Sequence, residues 1–151
     1  MKLIIRRSLP DDTAAIAKIE KEVFTDPWSE KDISSAITSA GAFCYSALGD
    51  DGELYAYLIG RTVIPEGEIY RVATLPERRR RGIAYKLLSY ALKTETGKGL
   101  ETVFLEVRSK NLPAIKLYSS LSFHEISKRK NYYKDPPDDA IIMMMGGGTA
   151  I

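Results

Sequence analysis

The chain has 151 residues, of which 44% are hydrophobic and 28% charged, the values of a globular domain large enough to bury a core. Its 22 basic and 20 acidic residues leave a formal net charge of +2, which excludes a surface that binds polyanions as a whole. The single cysteine, Cys44, excludes an intramolecular disulfide and a cysteine-rich metal site. No apolar run approaches the roughly 20 residues that span a bilayer, and the N-terminal one is too short for a signal peptide, so we expect a soluble cytoplasmic domain.

The first part of the chain reads as one strand, two helices and a β-rich segment. Residues 3–7 are a strand candidate, and 8–24 place apolar residues at helical spacing after a polar, proline-bearing start. Ser29 is expected to begin a second helix, because an acid follows it three positions later, and Gly41 to end that helix. Two β-rich runs around "GDDGE" (49–53) then indicate a hairpin.

The second part adds a strand over 67–75, a helix over 82–98, a buried strand over 102–107 and a short helix over 111–123. Glycines at the end of the longer helix and a proline in the short one suit these boundaries. Each strand here is followed by a helix, which is the pattern of an α/β sheet.

Two closing strands, 124–130 and 139–145, follow, with the turn-rich stretch 131–139 between them. This order of elements, without a repeat or a linker, predicts an α/β fold with a single mixed, mostly antiparallel sheet of about six to seven strands flanked by about four helices. We expect one domain over 1–145 and a flexible tail over 146–151.

The densest positive charge, the arginine run 78–81, stands immediately before Gly82 at the predicted junction of a strand and a helix. A helix N-terminus offers unpaired N–H groups and a partial positive charge to a phosphate, and a glycine lets the backbone approach it closely. Neither a Walker loop nor a dinucleotide fingerprint fits these residues. A loop that holds one phosphate group is favoured over a nucleic-acid patch, because the chain supplies no basic stripe or stacking platform elsewhere.

Residues 79–84 resemble the R-x-x-G-x-G/A pyrophosphate loop of the GNAT acyl-CoA-dependent N-acetyltransferases. Further segments resemble, in matching order, one branch of that superfamily, the ribosomal-protein-alanine N-acetyltransferases: "DPWSE" (26–30), "LEVR" (105–108), "NYY" (131–133) and "DAIIM" (139–143). The similarity covers residues 11–145. It departs from the family pattern at Thr74, Leu75, Arg78 and Ser122, none of which is a proposed catalytic group.

The resemblance implies the GNAT fold and acetyl-CoA (coenzyme A) as the cofactor. It also implies that the backbone before the loop pairs with the pantetheine arm like an added strand. Asn111 is expected to contact that arm, although it is also a plausible helix cap. The cofactor-binding residues implied in this way are Val72, Ala73, Thr74, Arg79, Arg80, Arg81, Gly82, Ile83, Ala84, Tyr85 and Asn111.

Two residues are candidates for the chemistry. Glu106 stands in an apolar strand, where an acid is costly unless it is paired, exposed at a cleft or functional. By resemblance it is the base that accepts the amine proton; the alternative is a salt bridge to Arg108. By resemblance Tyr118 is the acid that protonates the departing thiolate; the alternative is a core aromatic.

Three other residues have side chains that could take part in chemistry. Glu68 occupies the position where histone-type members of the superfamily carry their base, although it also reads as a surface charge beside Glu66. Cys44 is expected in the core and His124, the only histidine, on a surface strand. No metal site is predicted.

The leading functional hypothesis is acetylation of a protein N-terminal α-amine, with the alanine of a small-subunit ribosomal protein as the implied target. Trp28, Tyr132 and Tyr133 are expected to form walls for the peptide end. Two alternatives stay open: a lysine or polyamine acetyltransferase that uses Glu68, and a non-catalytic acyl-CoA-binding or RNA-binding module. The expected partner is a protein or peptide N-terminus, without direct nucleic-acid or membrane binding.

Overall fold

The computed structural model describes residues 2–146, in which seven strands and four α-helices follow one another. Their order agrees with the order expected from the sequence. In chain order they are β1 (Leu3–Arg7), α1 (Thr13–Val23), α2 (Glu30–Thr38), β2 (Tyr45–Gly49), β3 (Leu54–Val63), β4 (Glu66–Thr74), α3 (Ile83–Thr96), β5 (Thr102–Arg108), α4 (Leu112–Ser120), β6 (His124–Lys134) and β7 (Pro137–Gly146).

All seven strands belong to one sheet with the order β1-β2-β3-β4-β5-β7-β6. Every neighbouring pair is antiparallel except β4 and β5, which run parallel. The chain crosses between these two strands through α3, as a parallel connection requires. The prediction of a single mixed, mostly antiparallel sheet flanked by helices is therefore confirmed.

The core is centred on β3, whose first seven residues, 54–60, are all buried. Continuous burial of this kind means that both faces of the sheet are covered at this strand, unlike a strand with one wet face. Helices α1 and α2 contact each other and β3, while α3 contacts β2, β3 and β4. From α3 the core receives Leu87, Leu88 and Ala91, the stripe that the helical spacing predicts.

Helix α2 begins as expected but ends early. The Ser29 hydroxyl accepts a hydrogen bond from the Asp32 amide at 3.1 Å, so the predicted cap forms. The helix ends at Thr38, however, and the expectation that Gly41 ends it is wrong. Gly41 instead lies against β3, where its carbonyl accepts a hydrogen bond from the Thr62 amide at 2.8 Å and a Cβ would collide with the Thr62 carbonyl oxygen.

The C-terminal hairpin differs from its prediction, because the stretch 131–139 is not a long turn. Strand β6 continues to Lys134 and β7 begins at Pro137. Asn131, one of the turn-forming residues, lies in a β-bulge of strand β6. It has a left-handed φ of 55°, and its amide donates a hydrogen bond to Asp139 Oδ1 at 2.8 Å. Strand β7 ends at Gly146, so the predicted tail loses its first residue, and 147–151 lie outside the described residues.

Cys44 is buried beside β2, where burial raises the pKa of its thiol, and His124 is exposed at the start of β6. These are the places that the sequence indicated. Within residues 2–146, every helix is too short or too polar to cross a membrane.

Candidate active site

Strands β4 and β5 separate after a short paired stretch. Residues 66–69 of β4 pair with residues 102–105 of β5, and the register between the two strands ends there. On its other side β4 remains paired with β3 up to Thr74. The β5-facing edge of β4 therefore carries unpaired backbone groups over residues 70–74, and such an edge can pair with an extended amide-bearing ligand.

A groove of about 660 Å³ runs from this gap to the start of α3. Its lining combines the open part of β4, the basic loop and one side of α4. All of the predicted cofactor residues but one line it, together with the predicted acid: Val72, Ala73, Thr74, Arg79, Arg80, Gly82, Ile83, Ala84, Tyr85, Asn111 and Tyr118. Arg81 is exposed and does not line this groove.

The basic loop has the shape of a phosphate cradle. Gly82 precedes the first residue of α3 with a left-handed φ of 73°, and a Cβ built there would meet nothing within 4 Å. Arg78 is anchored away from the helix, with Nη2 3.0 Å from Glu53 Oε1 and its guanidinium 4.3 Å from the centre of the Tyr55 ring. The helix N-terminus and two of the arginines that line the groove, Arg79 and Arg80, fit an anionic pyrophosphate.

A second cavity of about 300 Å³ continues the groove towards β5 and the β6–β7 hairpin. Glu106 and Tyr133 line it, and Tyr118 and Val72 line both spaces. The groove and the second cavity therefore form one cleft, which we call the reaction cleft. Its phosphate end lies at α3 and its other end at Glu106.

Glu106 points into the reaction cleft with one oxygen free of hydrogen bonds. Its Oε1 accepts a hydrogen bond from the Tyr132 hydroxyl at 3.3 Å, and its Oε2 lies 3.8 Å from Arg129 Nη1. Within residues 2–146, that buried Oε2 has no hydrogen-bond partner. The Glu106 carboxylate also lines the second cavity, and a carboxylate at a cleft can accept a proton.

The salt bridge from Glu106 to Arg108, considered from the sequence, does not form. Arg108 donates to the carbonyl oxygens of Asp135 at 3.1 Å and Pro136 at 2.6 Å, and its guanidinium lies 4.2 Å from the centre of the Tyr133 ring. It thus holds the β6–β7 turn and leaves Glu106 facing the cleft.

Tyr118 reaches the reaction cleft from α4. Burial, and to a smaller degree the neighbouring Tyr133, raises the pKa of Tyr118 to about 12. Its ring packs edge-on against Phe123 at 5.8 Å between centroids. With this pKa the hydroxyl stays protonated at neutral pH and is a proton donor rather than a base.

Asn111 forms the helix cap that the sequence suggested, and its contact with the cofactor arm stays a prediction. Its Oδ1 accepts a hydrogen bond from the Ala114 amide at 3.2 Å, which caps α4, and the residue also lines the groove. The cap therefore fixes the start of the helix that carries Tyr118.

Several lining residues carried no chemical signal in the sequence. Val23 and Phe24 come from the end of α1, and Ala114 and Leu117 from α4. Their apolar character predicts burial in a helix face, but nothing in the pattern says that the face borders a cleft. Arg78 also lines the groove.

Besides Arg81, three predicted contributors do not line the reaction cleft: Glu68, Trp28 and Tyr132. Glu68 lines a separate cavity of about 300 Å³ near the start of β4, together with Glu66 and Tyr70. Trp28 lines another cavity, of about 580 Å³, where its ring lies 6.0 Å from that of Tyr70.

A glycine-opened helix follows a basic loop beside two parting parallel strands, an arrangement that fits a cofactor with phosphate groups. The chain belongs to the Acetyltransferase (GNAT) family, which it matches over residues 13–123. It is an N-acetyltransferase that uses acetyl-CoA.

Within this family, the chain is similar to N-acetyltransferases that act on the N-terminal alanine of a ribosomal protein. The chain is 35% identical over 122 residues to the ribosomal protein bS18-alanine N-acetyltransferase of Escherichia coli (strain K12), a match that covers 81% of each chain. The crystal structure of the ribosomal-protein-S18-alanine N-acetyltransferase from Escherichia coli has a TM-score of 0.89 at 31% identity, over 99% of both chains. Arabidopsis thaliana NAA60 in complex with acetyl-CoA shares the fold, with a TM-score of 0.86 at 19% identity, over 96% of this chain and 99% of that one.

Proposed function

We propose that this enzyme acetylates the N-terminal α-amine of a protein, with alanine as the preferred first residue and a ribosomal protein as its target. The similarity to enzymes that acetylate the alanine of ribosomal protein bS18 supports this target. The observation that carries the chemistry is that Glu106 and Tyr118 line one cleft, which continues into the groove for the cofactor.

Bound acetyl-CoA supplies the acetyl thioester. The open edge of β4 and the loop around Gly82 would hold the cofactor, and Tyr118 and Glu106 line the part of the cleft that would receive its acetyl end. Holding both reactants in one cleft removes much of the entropic cost of their encounter. The protein then needs only to manage two protons, one leaving the amine and one arriving at the sulfur.

Glu106 accepts the proton from the amine on its carboxylate, directly or through a water. An α-amine has a reference pKa of about 7.7–8.0, so roughly a tenth to a fifth of it is already neutral at pH 7. A lysine amine, near 10.4, is neutral at well under one part in a thousand. A single carboxylate is adequate for the first amine and poorly suited to the second.

Tyr118 donates its hydroxyl proton to the departing sulfur. Replacement of Tyr118 by phenylalanine is expected to lower turnover about 100-fold, the lower end of what a general acid contributes, with little change in acetyl-CoA affinity. Because its pKa is about 12, the wild-type rate should rise as the amine loses its proton and show no decline up to about pH 10. Rates of Y118F and wild type measured from pH 6.5 to 10 check both points.

A matched control for that variant is Tyr90→Phe, since Tyr90 is exposed on α3 and does not line the reaction cleft. Wild-type turnover in Tyr118→Phe would assign Tyr118 to core packing alone.

Substrate class is tested with paired peptides. One peptide begins with a free alanine and lacks lysine, and the other has a blocked N-terminus and an internal lysine. We expect acetylation of the first peptide to exceed that of the second by at least about 100-fold, because the α-amine is that much more often neutral at pH 7. Mass spectrometry of both products measures the ratio.

Preferential acetylation of the blocked peptide, lost in Glu68→Gln, would instead favour the lysine alternative. Membership of an acetyltransferase family removes the non-catalytic alternative.

A further inference from the structure

The segment between α1 and α2, residues 24–28, borders the end of the reaction cleft where the amine must enter. Phe24, Thr25 and Asp26 line the same cavity as Glu106. We call residues 24–28 the acceptor-side loop. Its position therefore determines the space left for a peptide end beside the base.

Arg71 of β4 holds this loop by three contacts. Its Nη2 donates to the Asp26 carbonyl oxygen at 2.5 Å and lies 3.2 Å from Asp26 Oδ1. Its guanidinium carbon lies 3.9 Å from the centre of the Phe24 ring, a cation–π contact. Arg71 immediately precedes Val72, so one side chain joins the loop to the strand that lines the cofactor groove.

Glu20 of α1 anchors the other end of the same loop. Its fully buried Oε1 lies 3.3 Å from Arg71 Nε and accepts a hydrogen bond from the Trp28 amide at 2.9 Å. Its Oε2 accepts a hydrogen bond from the Tyr57 hydroxyl. A buried carboxylate is stable only when it is paired and hydrogen-bonded, so Arg71 and the loop are required neighbours of Glu20.

The opposite border of the cleft is held in a similar way. Arg108 of β5 binds the carbonyls of Asp135 and Pro136 in the β6–β7 turn. The Thr25 hydroxyl donates to the Asp135 carbonyl at 3.3 Å, which joins the two borders. Each of the two parting strands thus places one arginine on the backbone of one border.

We propose that Arg71 is a positioning residue for the peptide acceptor, which holds the acceptor-side loop against β4 through Asp26, Phe24 and Glu20. This role rests on the proposed function, because it presumes that a peptide end enters beside Glu106. Arg71 takes no part in proton transfer. Its loss should weaken binding of the peptide far more than binding of acetyl-CoA.

The test variant is Arg71→Met, which keeps the length of the side chain and removes the guanidinium. We expect the KM for an alanine-first peptide to rise about tenfold, the factor that a loss of about 1.4 kcal/mol represents, while the KM for acetyl-CoA changes less than about twofold. Because Arg71→Met leaves the buried Glu20 charge unpaired, the double variant Arg71→Met, Glu20→Gln is measured beside it. The side-chain amide introduced by Glu20→Gln would still accept a hydrogen bond from the Trp28 backbone amide, and it would remove the buried charge.

The matched control is Arg6→Met, which removes a comparable bidentate partner from Asp12, at 2.7 and 3.1 Å, away from the cleft. It should lower stability without separating the two KM values. Equal changes in both KM values in the Arg71 variants, or an unchanged peptide KM, would overturn the proposal.

Amide hydrogen exchange supplies a readout that needs no activity. In Arg71→Met, exchange should accelerate over residues 24–28 relative to β3, and in Arg6→Met it should not. Unchanged exchange over 24–28 would overturn the positioning role even if no peptide were acetylated. Failure of acetylation with accelerated exchange would count against the proposed substrate and support the role of Arg71 in holding the loop.

Discussion

Replacement of Gly82 by glutamate is expected to abolish the binding of coenzyme A. The left-handed φ of 73° at Gly82 strains any other residue, and a side chain there would project into open space at the groove. The added carboxylate would place negative charge at the N-terminus of α3, where the pyrophosphate is expected, and like charges repel. Titration calorimetry with acetyl-CoA measures the loss.

Gly52 offers a closely matched control for this variant. It has a left-handed φ of 86° in the β2–β3 turn, and a Cβ there also meets nothing within 4 Å. Gly52→Glu therefore introduces the same strain and the same charge away from the reaction cleft, and it should bind acetyl-CoA like the wild type. If Gly82→Glu bound acetyl-CoA with wild-type affinity, the loop would not be a phosphate cradle. If the wild type bound RNA in a salt-sensitive way and the variant did not, the arginines would be assigned to nucleic-acid binding.

Replacement of Glu106 by glutamine is expected to lower turnover about 100-fold or more, the range of a general base. The glutamine amide has no basic oxygen to take the proton from the amine. It keeps an oxygen that accepts the hydrogen bond from Tyr132, and for this reason the site should keep its shape and acetyl-CoA affinity should not change. Raising the pH through the amine pKa of about 7.7–8.0 should restore part of the rate, because solvent then removes the proton. Turnover of an alanine-first peptide from pH 6.5 to 9 checks both effects.

The matched control is Glu68→Gln, which neutralises an exposed acid of β4 in a separate cavity. It should acetylate the alanine-first peptide at the wild-type rate. If Glu106→Gln turned over normally, Glu106 would be only an ion-pair partner of Arg129.

Local signals in the sequence were sufficient for most of the fold. Ser29 and Asp32 mark the start of α2, and the apolar stripe through Leu87 and Leu88 marks α3, because capping and helical spacing depend on near neighbours. The prediction of a long turn between β6 and β7 was wrong, because the structure there depends on residues that are distant in the chain. The turn-forming Asn131 has a local preference for left-handed backbone, and only pairing with β7 decides that it sits in a bulge.

In the candidate site, too, the features set by neighbouring residues could be predicted, and those set by contacts between distant residues could not. The loop around Gly82 and the strand segment that carries Glu106 are each contiguous in the chain, so the sequence alone pointed to both. The partners of Arg71 could not be read from it, because Glu20 lies 51 positions away along the chain and reaches Arg71 only through the packing of α1 on the sheet. The salt bridge from Glu106 to Arg108, considered only as the alternative to a catalytic Glu106, does not form, since alternation along a strand gives the shared face but not the loop that folds over it.

The gap between β4 and β5 also divides the polypeptide into two antiparallel half-sheets, β1–β4 and β5-β7-β6, which meet through only four residue pairs. The strand edge and loop proposed to hold the cofactor belong to the first half, whereas the proposed base Glu106 and the proposed acid Tyr118 belong to the second. Neither half contains the whole of the proposed site. Acetyl transfer is therefore a reporter of correct assembly: two fragments separated at the exposed turn 97–99 would regain activity only by joining again across this seam.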